Sequence, residues 1–151
     1  MIKIYTDGAA LGNPGPGGYG IIMEYGAHRK ELSCGFRLTT NNRMELLAVI
    51  DVLRAIRKSG IPVTVYSDSK YVVESVEKGW LWNWVRKNFK DKKNEDLWRQ
   101  YIPLHHQYKP RFVWIKGHND HPQNERCDAL AVAAANGFDL QVDEVYERLK
   151  D

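Results

Sequence analysis

Apolar and polar residues alternate along the first forty positions, and the period then becomes helical. Ile2, Ile4 and Thr6 alternate with Lys3, Tyr5 and Asp7, a pattern that predicts a short strand ending in a carboxylate. Residues 19–25 and 29–38 are strand-like too, and their junction at Gly26 predicts an antiparallel meander. The intervening Gly- and Pro-rich stretch 11–18 reads as a loop. From Asn42 onward Leu46, Val49, Ile50, Leu53 and Ile56 recur at helical spacing, until Arg57, Lys58 and Gly60 close the run. The β-branched run 63–67 predicts a fourth strand, again followed by a carboxylate, Asp68. Helical segments at 69–78 and 94–107 flank an aromatic, basic stretch; a strand at 112–116, a loop at 117–123 and an Ala-rich helix at 124–136 follow. The tail 138–151 reads as a short helix or a frayed end. This order predicts an α/β fold: a mixed five-stranded sheet, three strands in an antiparallel meander and the others parallel, flanked by helices.

With 151 residues and no repeat or linker, one domain over 1–151 is expected. A 43% hydrophobic and 27% charged composition excludes disordered, collagen-like and coiled-coil chains. The longest apolar run is residues 46–50 and the mean hydropathy is −0.53, so neither a membrane span nor a signal peptide is predicted, and a cytoplasmic protein is expected. Two cysteines, Cys34 and Cys127, are too few for a disulfide framework.

The acids matter more than the net charge of +3. In the predicted topology the first and fourth strands are parallel, so Asp7 and Asp68 fall at the carboxyl end of the sheet, where open α/β sheets bind ligands. Glu45 has two readings. Asn42-Arg-Met-Glu45 has capping-box spacing, with Asn42 as the cap. Glu45 also shares a helix face with Val49, Val52 and Ile56, which aims it at the same sheet end. Asp128, expected in the first turn of the last helix, reads singly as a complement to the helix dipole. Two like charges 4 Å apart repel by about 4 kcal/mol at an effective dielectric of 20, so acids meeting at one point need cations or protons. Carboxylate oxygens select hard divalent ions, Mg²⁺ with Mn²⁺ as substitute. His118 and His121, with Cys127, permit a zinc reading, but they lack finger spacing; His118 in its loop suits proton transfer near neutral pH.

Residues 78–93 hold six bases and one acid, together with Trp80, Trp82, Trp84 and Phe89, so this window is strongly basic and the rest of the chain is slightly acidic. An aromatic subcore accounts for some of these rings. Interleaved rings and bases also suit a nucleic-acid groove, in which bases meet phosphates and rings stack. Asn13, Thr40, Asn41 and Asn42 present amides and a hydroxyl able to read 2′-hydroxyls, or else serve as turn and cap residues.

The motifs Tyr5-Thr-Asp-Gly8, Asn41-Asn-Arg-Met-Glu45, Tyr66-Ser-Asp-Ser69 and the run from Gly117 to Asp128 resemble type 1 ribonuclease H of the bacterial kind over nearly the whole chain. The resemblance implies an endonuclease that cuts the RNA strand of RNA/DNA hybrids and leaves 5′-phosphate and 3′-hydroxyl ends. It implies that Asp7, Glu45, Asp68 and Asp128 hold two Mg²⁺ ions and that His118 assists proton transfer or product release. Asn13, Thr40, Asn41, Asn42 and Lys70 would contact the hybrid, with Trp80, Trp84, Arg86 and Lys87 in a basic protrusion that grips the DNA strand. Lys70 stands where the best-known bacterial members carry glutamine, so a charge contact would replace an RNA-side hydrogen bond. Val85 takes a place often basic, and the segment up to Asp96 is shorter. The first strand begins at Ile2, so no preceding hybrid-binding domain is expected, and a monomer without an obligate protein partner is implied. The rival readings are another nuclease on the same fold, an exonuclease or junction resolvase, and a non-catalytic hybrid-binding module.

Overall fold

The computed structural model describes residues 1–117 and 121–149. Its strands are β1 (Ile2–Ala10), β2 (Gly15–Tyr25), β3 (His28–Thr39), β4 (Val63–Ser67) and β5 (Arg111–Trp114). The helices are α1 (Asn41–Arg54), α2 (Lys70–Glu77), α3 (Trp80–Arg86), α4 (Glu95–Tyr108), α5 (Pro122–Ala135) and α6 (Glu144–Leu149). The strands form one sheet in the order β3-β2-β1-β4-β5, antiparallel through β1 and parallel from β1 to β5, as the sequence predicts. No described helix is long and apolar enough to cross a membrane.

Successive residues of β2 face opposite sides of the sheet, and the two sides are covered differently. Tyr19 is buried toward α1, where its hydroxyl donates to Asp51 Oδ2 at 2.6 Å. Gly18 and Gly20 face α5, whose backbone lies so close that a Cβ on Gly20 would overlap the carbonyl oxygen of Cys127. Only glycine permits this approach, and it brings α5 down onto the strands that carry the site. Gly20→Ala is therefore expected to push α5 outward and cost about 1–3 kcal/mol, an overpacking penalty measurable by thermal unfolding. An unchanged melting temperature would mean that α5 is not seated as described.

Helix α1 lies between the sheet and α4, and this explains why Met44, Leu46, Ala48, Val49, Ile50, Val52 and Leu53 are all fully buried. Beside this core, Trp98 is buried against Tyr71, Trp84 and Tyr101, with its Nε1 donating to the Tyr71 hydroxyl at 2.8 Å.

Several boundaries differ from the sequence reading. The first strand does not end in the carboxylate Asp7 but runs on to Ala10, held by its antiparallel pairing with β2, and the fifth covers Arg111–Trp114 in place of 112–116, because its pairing with β4 spans those four residues. The Gly- and Pro-rich stretch is only partly loop, because β2 already starts at Gly15 and pairs with Thr39. Helix α1 is capped by Thr40, whose Oγ1 accepts from Arg43 N at 3.2 Å, so Asn42 lies inside the helix and the capping-box reading of Asn42 and Glu45 fails. Helix α1 also ends at Arg54, before Ile56, although Ile56 is still buried. Helix α5 starts earlier than expected, with Pro122 in its first turn, which moves Asp128 beyond the first turn and removes the dipole explanation for it.

Candidate active site

The site is built where the parallel pairing of β1 with β4 stops: β4 ends at Ser67, while β1 runs on past Asp7 to Ala10 in its pairing with β2. The parallel register Thr6↔Ser67 sets Asp7 and Asp68 side by side one residue further on. Gly8 has no side chain at the point where α1 crosses, since a Cβ there would collide with the backbone of Met44 and Glu45; Glu45 thereby reaches the strand end. Cys127 Sγ donates to Tyr5 O at 3.3 Å and ties α5 to β1, so that Asp128 lines the same cleft as Asp7, Glu45 and Asp68. One oxygen each from Asp7, Glu45 and Asp68 lies within 4.8 Å of the other two.

These carboxylates are poorly compensated by protein. Burial, and then the charges of Asp68 and Asp128, push the Asp7 carboxyl up to about 8, against a single backbone bond from Gly8 N at 2.9 Å. Burial likewise drives Glu45 well above the usual carboxylate range, reinforced by Asp7 and Asp68. Glu45 Oε1 is buried without a hydrogen-bond partner. A buried carboxylate with one oxygen unpartnered, set beside two further carboxylates, is a costly arrangement for a protein alone. Hard oxygen ligands converging on one point fit a divalent cation of the Mg²⁺ or Mn²⁺ type, which would remove both the repulsion and the orphan. Geometry disfavours the zinc reading: the Cys127 thiol is fully buried and donates to Tyr5 O at 3.3 Å, which engages it with β1.

Three clefts adjoin one another. The carboxylate cleft, about 390 Å³, shares Asn41 and Asn42 with an open cleft of about 950 Å³ that is also lined by Asn13, Thr40, Lys92, Lys93 and Asn94. That cleft shares Lys92 with a groove of about 220 Å³ between Trp80, Trp84, Lys87 and Lys90. Bases thus line the clefts between the carboxylates and α3, with Glu95 and Asp96 as acids among them, and the tryptophans join them at α3.

The RNase H family model matches residues 1–136. The chain belongs to the RNase H family. Ribonuclease H of Syntrophus aciditrophicus is 52% identical over 151 residues, spanning 97% of this chain and 87% of its own. That of Desulforamulus reducens is 52% identical over 147 residues, 94% of this chain and 92% of its own. Among solved structures, LC9-RNase H1, described as a type 1 RNase H with the type 2 active-site motif, superposes with a TM-score of 0.80 at 33% identity, covering 90% of this chain and 72% of that one. LC11-RNase H1, solved in complex with RNA/DNA hybrid, superposes with a TM-score of 0.70 at 26% identity, covering 90% and 97%. The chain is accordingly a nuclease of the hydrolase class with the RNase H fold.

In this RNase H the residues expected at the site divide into three groups. Asp7, Glu45, Asp68, Asp128, Asn41, Asn42 and Lys70 meet in the carboxylate cleft, whereas His118 lies outside the described residues. Asn13 and Asn41 also hold the backbone: Asn13 Oδ1 accepts from Asn41 N at 3.0 Å, and Asn41 Oδ1 accepts from Ala10 N at 2.5 Å. Trp80, Trp84 and Lys87 share one groove, while Arg86 does not line it and instead donates to Asn83 Oδ1. Trp84 is half-buried against Trp98, Phe89 is buried in the core, and Trp82 packs on His105 and His106, so several of these rings form an aromatic subcore while Trp80 and Trp84 also line a surface groove.

Sequence reasoning counted Lys92 and Lys93 among the bases of a nucleic-acid groove but missed Arg43, Asn94 and Arg99 as lining of the open cleft, and Trp114, whose Nε1 donates to Asp68 O at 3.1 Å. The run of bases was a signal for the lysines. No local pattern marks Trp114.

Proposed function

We propose that this RNase H is an endonuclease that hydrolyses the RNA strand of RNA/DNA hybrids, dependent on two divalent metal ions, and leaves 5′-phosphate and 3′-hydroxyl ends. The observation that carries this reading is the convergence of Asp7, Glu45 and Asp68, with Asp128 in the same cleft, at one end of a basic, aromatic track. Asp7, Glu45, Asp68 and Asp128 are the residues to hold Mg²⁺, or Mn²⁺ in its place. When bound, the ion pair supplies an activated water for in-line attack and neutralises charge on the departing 3′-oxygen. The protein's part is positioning and charge balance. The two parallel strands fix Asp7 and Asp68, α1 brings Glu45 through the space left by Gly8, and α5 adds Asp128. Asn13, Thr40, Asn41 and Asn42 are proposed to meet the hybrid at its minor groove, Lys70 to make a charge contact on the RNA side, and Trp80, Trp84, Arg86 and Lys87 to grip the DNA strand. His118 is proposed to transfer a proton or assist product release. The protein is proposed to act as a single-domain monomer in the cytoplasm.

An exonuclease or junction resolvase has no need of the aromatic, basic groove, and a pure binding module has no need of four converging acids; the presence of both favours the hybrid endonuclease. The chemistry of the product ends tests the mechanism. The upstream RNA fragment should be extended by a polymerase without prior phosphatase treatment, as a free 3′-hydroxyl requires. A 2′,3′-cyclic or 3′-phosphate end would mean attack by the ribose hydroxyl and would contradict the mechanism.

A further inference from the structure

The described part of the tail, which reads in the sequence as a short helix or a frayed end, is fastened to the sheet. Gln141 pairs with the edge of β3, accepting from Arg37 N at 2.9 Å and donating its N–H to Gly35 O at 2.8 Å. Asp143 is buried, accepts from Arg43 and Thr39, and also accepts from Tyr146 N at 3.5 Å as α6 begins. Arg37 adds a bidentate pair to Glu147, both bonds at 2.8 Å. No described residue of α6 is buried, so polar bonds rather than a core face hold this helix in place. They hold it against the open cleft, which Tyr146 and Leu149 line together with Asn41, Asn42, Lys92 and Lys93. The Arg43 guanidinium lies 5.9 Å from the centroid of the Tyr146 ring, and Leu149 is 71% exposed. The cleft thus offers apolar surface and cations side by side, and a nucleic-acid strand presents sugars and phosphates in the same way.

We propose that α6 is part of the substrate surface: the Tyr146 ring, with Leu149 three residues on, packs against a deoxyribose of the DNA strand and selects DNA over RNA as the partner of the strand that is cut. The inference rests on the hybrid-cleaving reading above. That reading puts the RNA strand at the carboxylates and the minor groove at Asn41 and Asn42, which the two clefts share, so the strand across the groove falls in the open cleft. Lys92 and Lys93 suit its phosphates. The acids of that cleft are already paired, Asp96 with Arg43 and Glu95 with Arg99. A 2′-hydroxyl pressed against a tyrosine ring and a leucine would lose its water and gain no partner, whereas the C2′ of a deoxyribose loses nothing. Tyr146 is remote from the cut linkage, so the contact belongs to ground-state and transition-state binding alike.

The test is binding of a labelled RNA/DNA hybrid to the full chain in EDTA, with steady-state cleavage in Mg²⁺ alongside. Tyr146→Ala should raise Kd and KM about fivefold, the lower end of what an aromatic contact to nucleic acid contributes, and leave kcat unchanged. Tyr146→Phe keeps the ring and should bind as the wild type does. Tyr146 is only half-buried, so both variants should keep the wild-type fold by circular dichroism at the assay temperature. Single ribonucleotides scanned through the DNA strand should identify one position whose 2′-hydroxyl weakens the wild type about fivefold and Tyr146→Ala far less. Unchanged Kd in a folded Tyr146→Ala overturns the proposal, as does a ribonucleotide scan that affects wild type and Tyr146→Ala alike at every position. Equal weakening by Tyr146→Phe would assign the contact to the hydroxyl and overturns it too. If the wild type cleaves the hybrid and any of these results appears, this inference alone falls; if the wild type neither binds nor cleaves it, the functional reading falls as well.

Discussion

Asp7→Asn is expected to abolish hydrolysis and, at the same time, to make the metal-free protein more stable. Activity should fall by roughly 10³-fold or more, as when a group that stabilises transition-state charge is removed. The gain in stability follows from the sign of the shift. Asp7 in the fold holds its proton to about 8, against a usual value of 3.8, because burial and its acidic neighbours penalise the anion. Between those values the folded chain binds more protons than the unfolded one, so the stability of the metal-free protein declines as pH rises from about 4 to about 8. Asparagine has the same shape and no charge to bury. Thermal unfolding in EDTA should show Asp7→Asn melting a few degrees above the wild type at pH 8, at about 2–4 °C per kcal/mol, with the two curves converging toward pH 4. Adding Mg²⁺ should raise the wild-type melting temperature and move that of Asp7→Asn less, because ligand bound only to the folded state stabilises it. A variant less stable than wild type at pH 8 would mean that the carboxylates do not repel one another as described.

Arg43→Met should be strongly destabilising, although it leaves Asp7, Glu45, Asp68 and Asp128 in place. Arg43 is buried on α1 next to the cap residues, and its guanidinium makes bidentate bonds to Asp143, from Nε at 2.7 Å and Nη2 at 2.9 Å. It makes a second pair to Asp96, from Nη1 at 2.9 Å and Nη2 at 2.7 Å, and reaches Asn94 Oδ1 at 3.3 Å. Asp143 also accepts from Thr39 Oγ1 at 2.7 Å. One side chain thus joins α1 to the start of α4 and to the residue just before α6, and Asp143 extends the link to the end of β3. Burial opposes its charge, but the two aspartates outweigh burial and hold it protonated. Methionine fills a similar volume and leaves two acids with no counter-charge, which costs about 3–5 kcal/mol. The melting temperature should therefore drop by about 10 °C or more, with Lys in place of Arg restoring only part of it, because a point charge cannot form both forks. A loss below about 1 kcal/mol would place this cluster with ordinary surface ion pairs.

How far the site is legible in the sequence depends on how local its causes are. Asp7 and Asp68 are readable because each follows an alternating or β-branched run, and the crossover rule brings the two strand ends together. Glu45 is readable only in half. Thr40, Asn41 and Asn42 are all good caps, and the choice of Thr40 depends on contacts 28 and 31 residues away in sequence, from Asn13 to Asn41 and from Asn41 to Ala10. Once Thr40 is the cap, the carboxyl of Glu45 is freed from capping and turns to the strand end. The lysines beyond α3 are harder still. Asn88, Phe89, Asp91 and Asn94 all have positive φ, so the chain bends back toward α4 and carries Lys92 and Lys93 to the cleft, a path that no polarity pattern encodes in non-glycine residues. Trp114 sits at the end of a short strand, and its link to Asp68 spans 46 residues, so its role emerges only with the β4–β5 pairing. The seating of α5 is likewise a property of the fold: Gly18 and Gly20 are open faces on the sheet only because Ala131 and Cys127 come to lie above them.

The most direct measurement is cleavage of an RNA/DNA hybrid labelled in turn on each strand, beside matched double-stranded RNA and double-stranded DNA, in Mg²⁺ and in EDTA. Internal cuts are expected in the RNA strand of the hybrid alone, abolished by EDTA and by Asp7→Asn. Cleavage of the DNA strand or of either homoduplex at a comparable rate, cleavage that persists in EDTA, or tight hybrid binding without any cleavage would contradict it.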